Sequence, residues 1–414
     1  MAYIAINMSE IVWTEEQSAA LATLKSWIKA PMGKPMMSLT GCAGTGKTLT
    51  MSELKNYFPV DDTLWTAMTG KAALRLSQSA GVEASTLHSK LYGRPTASGK
   101  RVFFNTIKKP SCDFLIIDES SQIGGKLYSD IETWTSQGVR VLLVGDSVQL
   151  PPILSYKEEQ EYGDDFSVFR EVKGPNLSKV MRSNDGIIEI ATLVRESRKL
   201  PLKGNDFFKI QKVQYPGLAA IGDYLDDPSD HILITWTNAM RMQGNIEIRR
   251  RLGHKTPLPG KTEPVLICKN GQDVLNGEMV YAEKFEEANT VSGVKLLWMT
   301  TTNGQKLLVS ASGQSKFMDG SLPDVKDWKE FHRQRNNLGY DEPLPITYGY
   351  VLTAHKMQGS DARRVSVYLS GTDMRNEHFN KDTILPDGSK MPFAIRWAYT
   401  SFTRPKERGS FYYS

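Results

Sequence analysis

Eight consecutive residues, Gly41-Cys42-Ala43-Gly44-Thr45-Gly46-Lys47-Thr48, satisfy G-x-x-x-x-G-K-[ST] in full. They lie between a short apolar run at 36–40 and a helix-forming run that reaches about residue 57. The glycines let backbone N–H groups curl around an anion without Cβ clashes. The helix that follows aims its positive end at the same place. Lys47 then serves as a point charge for β- and γ-phosphates, and Thr48 offers a hydroxyl to Mg²⁺. Two further segments complete such a site. The run Phe114–Ser120 (FLIIDES) brings Asp118 and Glu119 to the C-terminal end of a buried strand, the edge at which parallel α/β sheets bind ligands. Asp118 is the expected Mg²⁺ carboxylate, and Glu119 the group that polarises an attacking water. The run Val141–Ile153 (VLLVGDSVQLPPI) ends in the same way and places Gln149 where its amide can sense a γ-phosphate.

Strands alternate with helices along the rest of the chain, which predicts a parallel, doubly wound α/β architecture. A helix over 14–29 opens with Thr14 as cap and Gln17 three residues on, a capping box. Strands are expected at 63–68, 113–118 and 140–145. A second series follows: helix 185–199, strand 231–236, helix 238–252, strand 364–369 and helix 393–403. Residues 259–345 differ in texture, with short β-like runs (VYAEKF, KLLWMT, KLLVSA) between Gly, Asn and Ser turns and one helix near 324–335. At roughly 100–200 residues per domain, 414 residues make two to four domains. We divide them as 1–175, with an inserted hairpin at 90–112; 176–258 together with 346–414; and a β-rich, barrel-like insertion at 259–345. The net charge of +5 excludes a polybasic tail protein but allows a local basic groove. The three cysteines, Cys42, Cys112 and Cys268, are too widely spaced for a disulfide framework or a zinc site. With no secretory start and no apolar run of membrane-spanning length, a cytoplasmic protein without membrane contact is expected.

In order and content these segments resemble superfamily 1 helicases, in particular the Dda-type phage helicases and the RecD-like group. The resemblance implies two RecA-like P-loop NTPase domains, the first carrying a β-hairpin insertion and the second a small β-rich one. Thr14-Glu15-Glu16-Gln17 is similar to the adenine-reading motif, with Gln17 on the base. Met68–Ala73 and Ala84–Ser89 are similar to the motifs that grip a single strand, which implies DNA contacts by Thr69, Lys71, Thr86 and His88. Pro152 and Asn238 are implied on the same track. Leu177–Arg182 resembles the motif that lends an arginine, Arg182, to the γ-phosphate. Thr353-Ala354-His355-Lys356-Met357-Gln358-Gly359 resembles the H-K-x-Q-G element, with Gln358 toward the nucleotide and Thr353, His355, Lys356 and Gly359 toward DNA. Tyr399–Arg404 resembles the last motif, in which Arg404 is a second arginine on the phosphates. The implied activity is ATP- and Mg²⁺-dependent unwinding of DNA with 5′-to-3′ travel. The implied partners are single-stranded and fork DNA, joined by a single-strand-binding protein or replication proteins, with the chain acting as a monomer.

Residues 84–112 hold Lys90, Arg94, Lys100, Arg101, Lys108 and Lys109 and no acidic residue, a local excess suited to a phosphate backbone. Thr96–Lys100 reads as a turn, and Phe103 and Phe104 follow it. The resemblance makes this hairpin a pin that splits the duplex. Its basic flanks would hold the strands, and one phenylalanine would stack on the last pair. Two rivals share part of the pattern. A single-strand translocase that strips proteins or remodels forks would carry the same motifs. A P-loop small-molecule kinase needs an acceptor pocket and gives no reason for a second domain bearing Arg182, Gln358 and Arg404.

Overall fold

A computed structural model describes residues 12–30, 33–92, 112–181, 186–269, 274, 276–310, 325 and 327–414. Arg101, Phe103, Phe104 and Arg182, with most of the expected hairpin, lie outside the described residues. Six parallel strands build the first lobe: β1 Met36–Gly41, β2 Thr63–Ala67, β3 Ala84–Thr86, β4 Phe114–Asp118, β5 Arg140–Gly145 and β6 Asn176–Leu177. Their spatial order is β3-β2-β4-β5-β1-β6. Strand alternation sorts the core into two layers. Phe114, Ile116, Leu142 and Val144 face one side, where helix Glu15–Lys29 packs through Leu21, Leu24 and Ile28. Leu115, Ile117, Val141 and Leu143 face the other, against Ile131, Trp134 and Phe169. Burial on both faces is why these strands read as unbroken apolar runs.

The second lobe begins its sheet with β7 Phe208–Lys212 and β8 His231–Thr235. The chain then leaves to form an antiparallel sheet from β9 Pro264–Ile267, β10 Met279–Val291, β11 Val294–Thr301, β12 Lys306–Ser310 and β13 Ile346–Tyr348, in the order β12-β11-β10-β9-β13. A bridge between Val309 and Leu344 joins the two ends of that sheet, giving it a barrel-like closure. The chain returns with β14 Val351–Thr353, β15 Ala362–Leu369, a short ribbon of β16 Asp382–Ile384 and β17 Lys390–Pro392, and β18 Pro405–Tyr413. The second parallel sheet runs β14-β8-β15-β18-β7.

Two expected boundaries shift by one strand. Asn176–Leu177 pairs with β1, so the first sheet reaches past residue 175. Ile346–Tyr348 pairs with β9, so the insertion's sheet reaches past residue 345. Each is only two or three residues long, too short to show a pattern of its own. The helix expected near 324–335 is Trp328–Asn337, capped by Asp327, whose carboxylate accepts from the N–H groups of Lys329 and Glu330. Between the lobes lies a shared apolar layer. Leu150 of the first lobe is part of a second-lobe core that contains Met357, Ala398 and Phe402, and Cys42 and Val148 pack against it.

Candidate nucleotide site and nucleic-acid face

The phosphate loop forms where sequence logic places it, between the end of β1 at Gly41 and helix Lys47–Leu54. Gly46 has φ 89°, and a Cβ there would collide with Nε2 of Gln17. Only glycine meets both demands. Lys47 Nζ donates to the carbonyls of Gly41 (2.6 Å) and Cys42 (3.0 Å), which holds the ammonium at the mouth of the loop. Thr45 Oγ1 donates to Cys42 O, 2.8 Å. Gln17 braces this loop from behind. Its Nε2 donates to Thr45 O at 3.1 Å, and its Oε1 accepts from Thr14 N–H at 3.1 Å. Both ends of the amide are thus engaged within the chain, and the side chain is buried. Gln17 sits at the nucleotide loop as the resemblance implies, but as a brace.

Asp118 and Glu119 close the adjacent strand. Glu119 lies at φ 56°, an uncommon backbone conformation for a residue with a long side chain. Its N–H donates to Asp118 Oδ1, 2.9 Å. Burial, then the charge of Glu119, pushes the Asp118 carboxyl up to about 6, against a smaller opposing pull from Lys47. Thr48, in the first helical turn, and Asp118 supply the hard oxygen donors Mg²⁺ prefers, and the crowded carboxylates favour a cation between them. The residues therefore fit the ion. Among the described residues no three His, Cys, Asp or Glu side chains converge as a metal cage. Gln149 is buried at the same edge, and its Oε1 has no hydrogen-bond partner among the described residues.

Second-lobe side chains close the site from the other side. Helix Phe393–Phe402 presents Arg396, Tyr399 and Thr400 along one face, at i, i+3 and i+4. Arg396 donates to the carbonyls of Ser147 (3.2 Å), Val148 (3.3 Å) and Gln149 (2.9 Å). Burial lowers its guanidinium to about 10. Thr400 Oγ1 accepts from Leu150 N–H at 3.0 Å, and Gln358 Nε2 donates to Leu150 O at 3.1 Å. Tyr399 OH donates to Asp146 Oδ2 at 2.6 Å and accepts from Ala43 N–H at 2.9 Å. Arg195, on helix Gly186–Ser197, lies near enough to Cys42 of the phosphate loop for its charge to act on the thiol. Arg404 is buried, donating to Thr400 O (2.9 Å) and Ser360 O (3.2 Å), and the Glu119 charge acts on it. Arg404 is therefore within electrostatic reach of Glu119 of the opposite lobe, while these two hydrogen bonds stay within its own lobe. Just before Arg182, Met181 N–H donates to Gly44 O of the loop, 2.9 Å.

Comparison with known proteins agrees with this geometry. Residues 13–202 match the AAA domain family. The ATP-dependent DNA helicase dda of Enterobacteria phage T4 is 26% identical over 413 residues, covering 86% of this chain and 92% of that one. The ATP-dependent RecD2 DNA helicase of Deinococcus radiodurans is 38% identical over 143 residues, but these span 34% of this chain and 18% of RecD2. A Pif1 helicase from Bacteroides, solved with ADP-AlF3 and ssDNA, superposes with a TM-score of 0.55 at 18% identity, covering 97% of this chain and 92% of that one. Over most of its length this chain is similar to the superfamily 1 helicases of the Dda, Pif1 and RecD type.

In this helicase the residues expected on DNA divide into two groups. Thr69 caps helix Gly70–Ala80 at the C-terminal edge of the first sheet, and Gly359 of the second lobe comes so close that a Cβ on it would lie 3.1 Å from Thr69 Oγ1. Thr86 ends β3, with His88 just beyond in helix Leu87–Leu91, its ring 5.6 Å from that of Tyr92. Pro152 is half-buried after the Leu150 contact. On the second lobe, Thr353 ends β14 and caps the turn that carries His355 and Lys356. Asn238 is exposed at the start of its helix. These positions lie at strand ends and helix starts of the two lobes. Others are engaged inward. Lys71 Nζ donates to Asp361 O at 3.3 Å, and burial lowers its basicity. Lys356 Nζ lies 3.7 Å from the Cys268 sulfur. His355 stacks on Phe393, and burial lowers it to about 4, so it is a neutral imidazole at physiological pH. Arg195, Arg396 and Tyr399 had no role assigned from sequence. The polar i, i+3, i+4 stripe on an otherwise apolar helix was the available signal for the last two.

Proposed function

We propose that this chain, an ATP-dependent DNA helicase, moves 5′ to 3′ along single-stranded DNA laid across the C-terminal edges of both sheets. It separates fork DNA ahead of it. The observation that carries the reading is the seam: Gln358 and Tyr399 from one lobe hydrogen-bond Leu150 and Ala43 of the other, and Arg404 lies within electrostatic reach of Glu119. A nucleotide held there touches both lobes, so its turnover changes how they sit together. In this reading the loop N–H groups and Lys47 hold the phosphates, Glu119 orients and deprotonates the attacking water, and Gln149 contacts the γ-phosphate. Arg404, with Arg182, offsets the negative charge that spreads in the transition state. Thr48 and Asp118 would hold Mg²⁺, which would supply Lewis-acid neutralisation of the phosphate oxygens. Three free cysteines suit a reducing, cytoplasmic setting. Among the described residues no helix is long and apolar enough to cross a membrane. A monomer working with a single-strand-binding or replication protein completes the proposal.

ATP turnover measured with and without single-stranded DNA or RNA, together with displacement of 5′- and 3′-tailed duplexes, tests it. Turnover should rise steeply with single-stranded DNA, and the 5′-tailed duplex should open faster. Turnover indifferent to nucleic acid would favour a small-molecule kinase, and faster opening from the 3′ tail would overturn the polarity.

A further inference from the structure

The contacts across the seam are not equivalent. Arg396, Thr400 and Gln358 all hold the backbone of 147–150, none of it in the phosphate loop. Tyr399 alone among them reaches the loop itself, accepting from Ala43 N–H while donating to Asp146. Asp146 is buried and caps the next stretch of chain, its Oδ1 accepting from Val148 N–H at 3.0 Å. One hydroxyl therefore joins three pieces: the phosphate loop, the loop bearing Gln149, and the last helix of the second lobe. Its two hydrogen bonds run in series, and burial with the neighbouring Asp146 charge keeps the phenol protonated and able to donate. Ala43 N–H belongs to the row of donors that a G-x-x-x-x-G-K-[ST] loop turns toward phosphate. A donor has one hydrogen, so Tyr399 and a phosphate oxygen compete for it.

We propose that Tyr399 is a nucleotide-displaced latch between the lobes. With the phosphate loop bound to Tyr399, the second lobe is tied to Ala43 and Asp146 together. When phosphate oxygens recruit Ala43 N–H, the hydroxyl loses its donor and keeps only Asp146, so the tie passes from the phosphate loop to the Gln149 loop. Tyr399 is in this sense a positioning residue: it reports phosphate occupancy to the segment Arg396 grips, and it acts on nucleotide affinity by opposing it. The proposal rests on the nucleotide-seam reading above.

The test is binding of ADP and of a non-hydrolysable ATP analogue to the full chain without DNA, wild type against Tyr399→Phe, followed by DNA-stimulated ATP turnover. Removing a competitor worth one neutral hydrogen bond should tighten nucleotide binding by roughly two- to ten-fold. Single-stranded DNA should then accelerate turnover less than in the wild type, because nucleotide state no longer switches the tie. A hydroxyl that merely supported the loop would give the opposite sign, weaker binding in Tyr399→Phe. That result, or unchanged affinity, overturns the latch. Asp146→Asn, which keeps an acceptor for the hydroxyl but removes the charge, should give an intermediate tightening; no change there while Tyr399→Phe weakens binding would also overturn it. If the wild type bound no nucleotide, the seam reading would fail first and separately.

Discussion

Single residues carry the cost of this site. Asp118 is held up at about 6 because burial and the Glu119 carboxylate both oppose its charge. The folded state therefore binds its proton more tightly than the unfolded chain does. The stability this provides is present below the ordinary Asp range and is lost as pH rises through about 6. At neutral pH the ionised pair is a liability until a cation offsets it. Asp118→Asn should then raise the melting temperature of the nucleotide-free protein at pH 7.5, by an amount worth on the order of 1–2 kcal/mol after discounting for its partial exposure to solvent. The gain should shrink toward pH 4, Mg²⁺ should stabilise the wild type more than the variant, and ATP turnover should collapse. Equal melting of the two proteins at pH 7.5 would contradict this. The placement of Asp118 and Glu119 at a strand end was legible because one short run contains both. The Glu119 backbone strain was not, since φ is set by what the strand end must avoid rather than by residue type.

Among whole elements, a buried ion pair joins the insertion to the second lobe. Arg249, in helix Asn238–Arg251, meets Glu263 just before β9, with Nε–Oε1 at 2.7 Å and the second nitrogen to Oε2 at 3.0 Å. Tyr350 OH donates to Glu263 Oε1 at 2.7 Å, and Arg249 donates to Tyr348 OH at 2.9 Å. The geometry is bidentate and closed to water, so breaking it by removing one partner leaves a stranded charge. Glu263→Gln should destabilise the protein by about 3–5 kcal/mol in chemical denaturation, and the double change Arg249→Met with Glu263→Leu should recover much of that. Hydrogen bonds from Arg249, Gly260 and Tyr350 hold the Glu263 carboxyl below the usual range against burial. The pair's contribution is therefore present above that range and lost as pH falls through the lowered value. A Glu263→Gln variant as stable as the wild type would show that this pair does not hold the insertion in place. Most elements were legible from local pattern: the expected helix 393–403 is Phe393–Phe402, and the expected strand 231–236 is His231–Thr235. Arg249 and Glu263 could not be paired from sequence, because their partnership depends on where a crossing helix points.

The whole molecule separates into a motor seam and a proposed wedge, and the two were not equally legible. Lys47, Thr48, Asp118 and Glu119 announce themselves through short motifs. Tyr399 and Ala43, or Arg396 and Gln149, are about 250 to 350 residues apart in sequence and meet only because two sheets present matching edges. No local pattern holds that information, whereas family resemblance singled out Gln358, which reaches Leu150 across the seam. The cross-lobe contacts of Tyr399 with Ala43, Gln358 with Leu150 and Arg396 with Gln149 gather beside the nucleotide loop. A wedge at Phe103 or Phe104 would make duplex separation separable from ATP turnover. Base stacking on an aromatic side chain is worth about 1–3 kcal/mol, comparable to the cost of parting one base pair. Phe103→Ala or Phe104→Ala should therefore keep single-strand-stimulated ATP turnover close to the wild-type rate while strand displacement falls sharply, with the larger loss marking the residue that faces the junction. Turnover and displacement falling in proportion would place the basic segment inside the motor and remove the reason to regard it as a wedge.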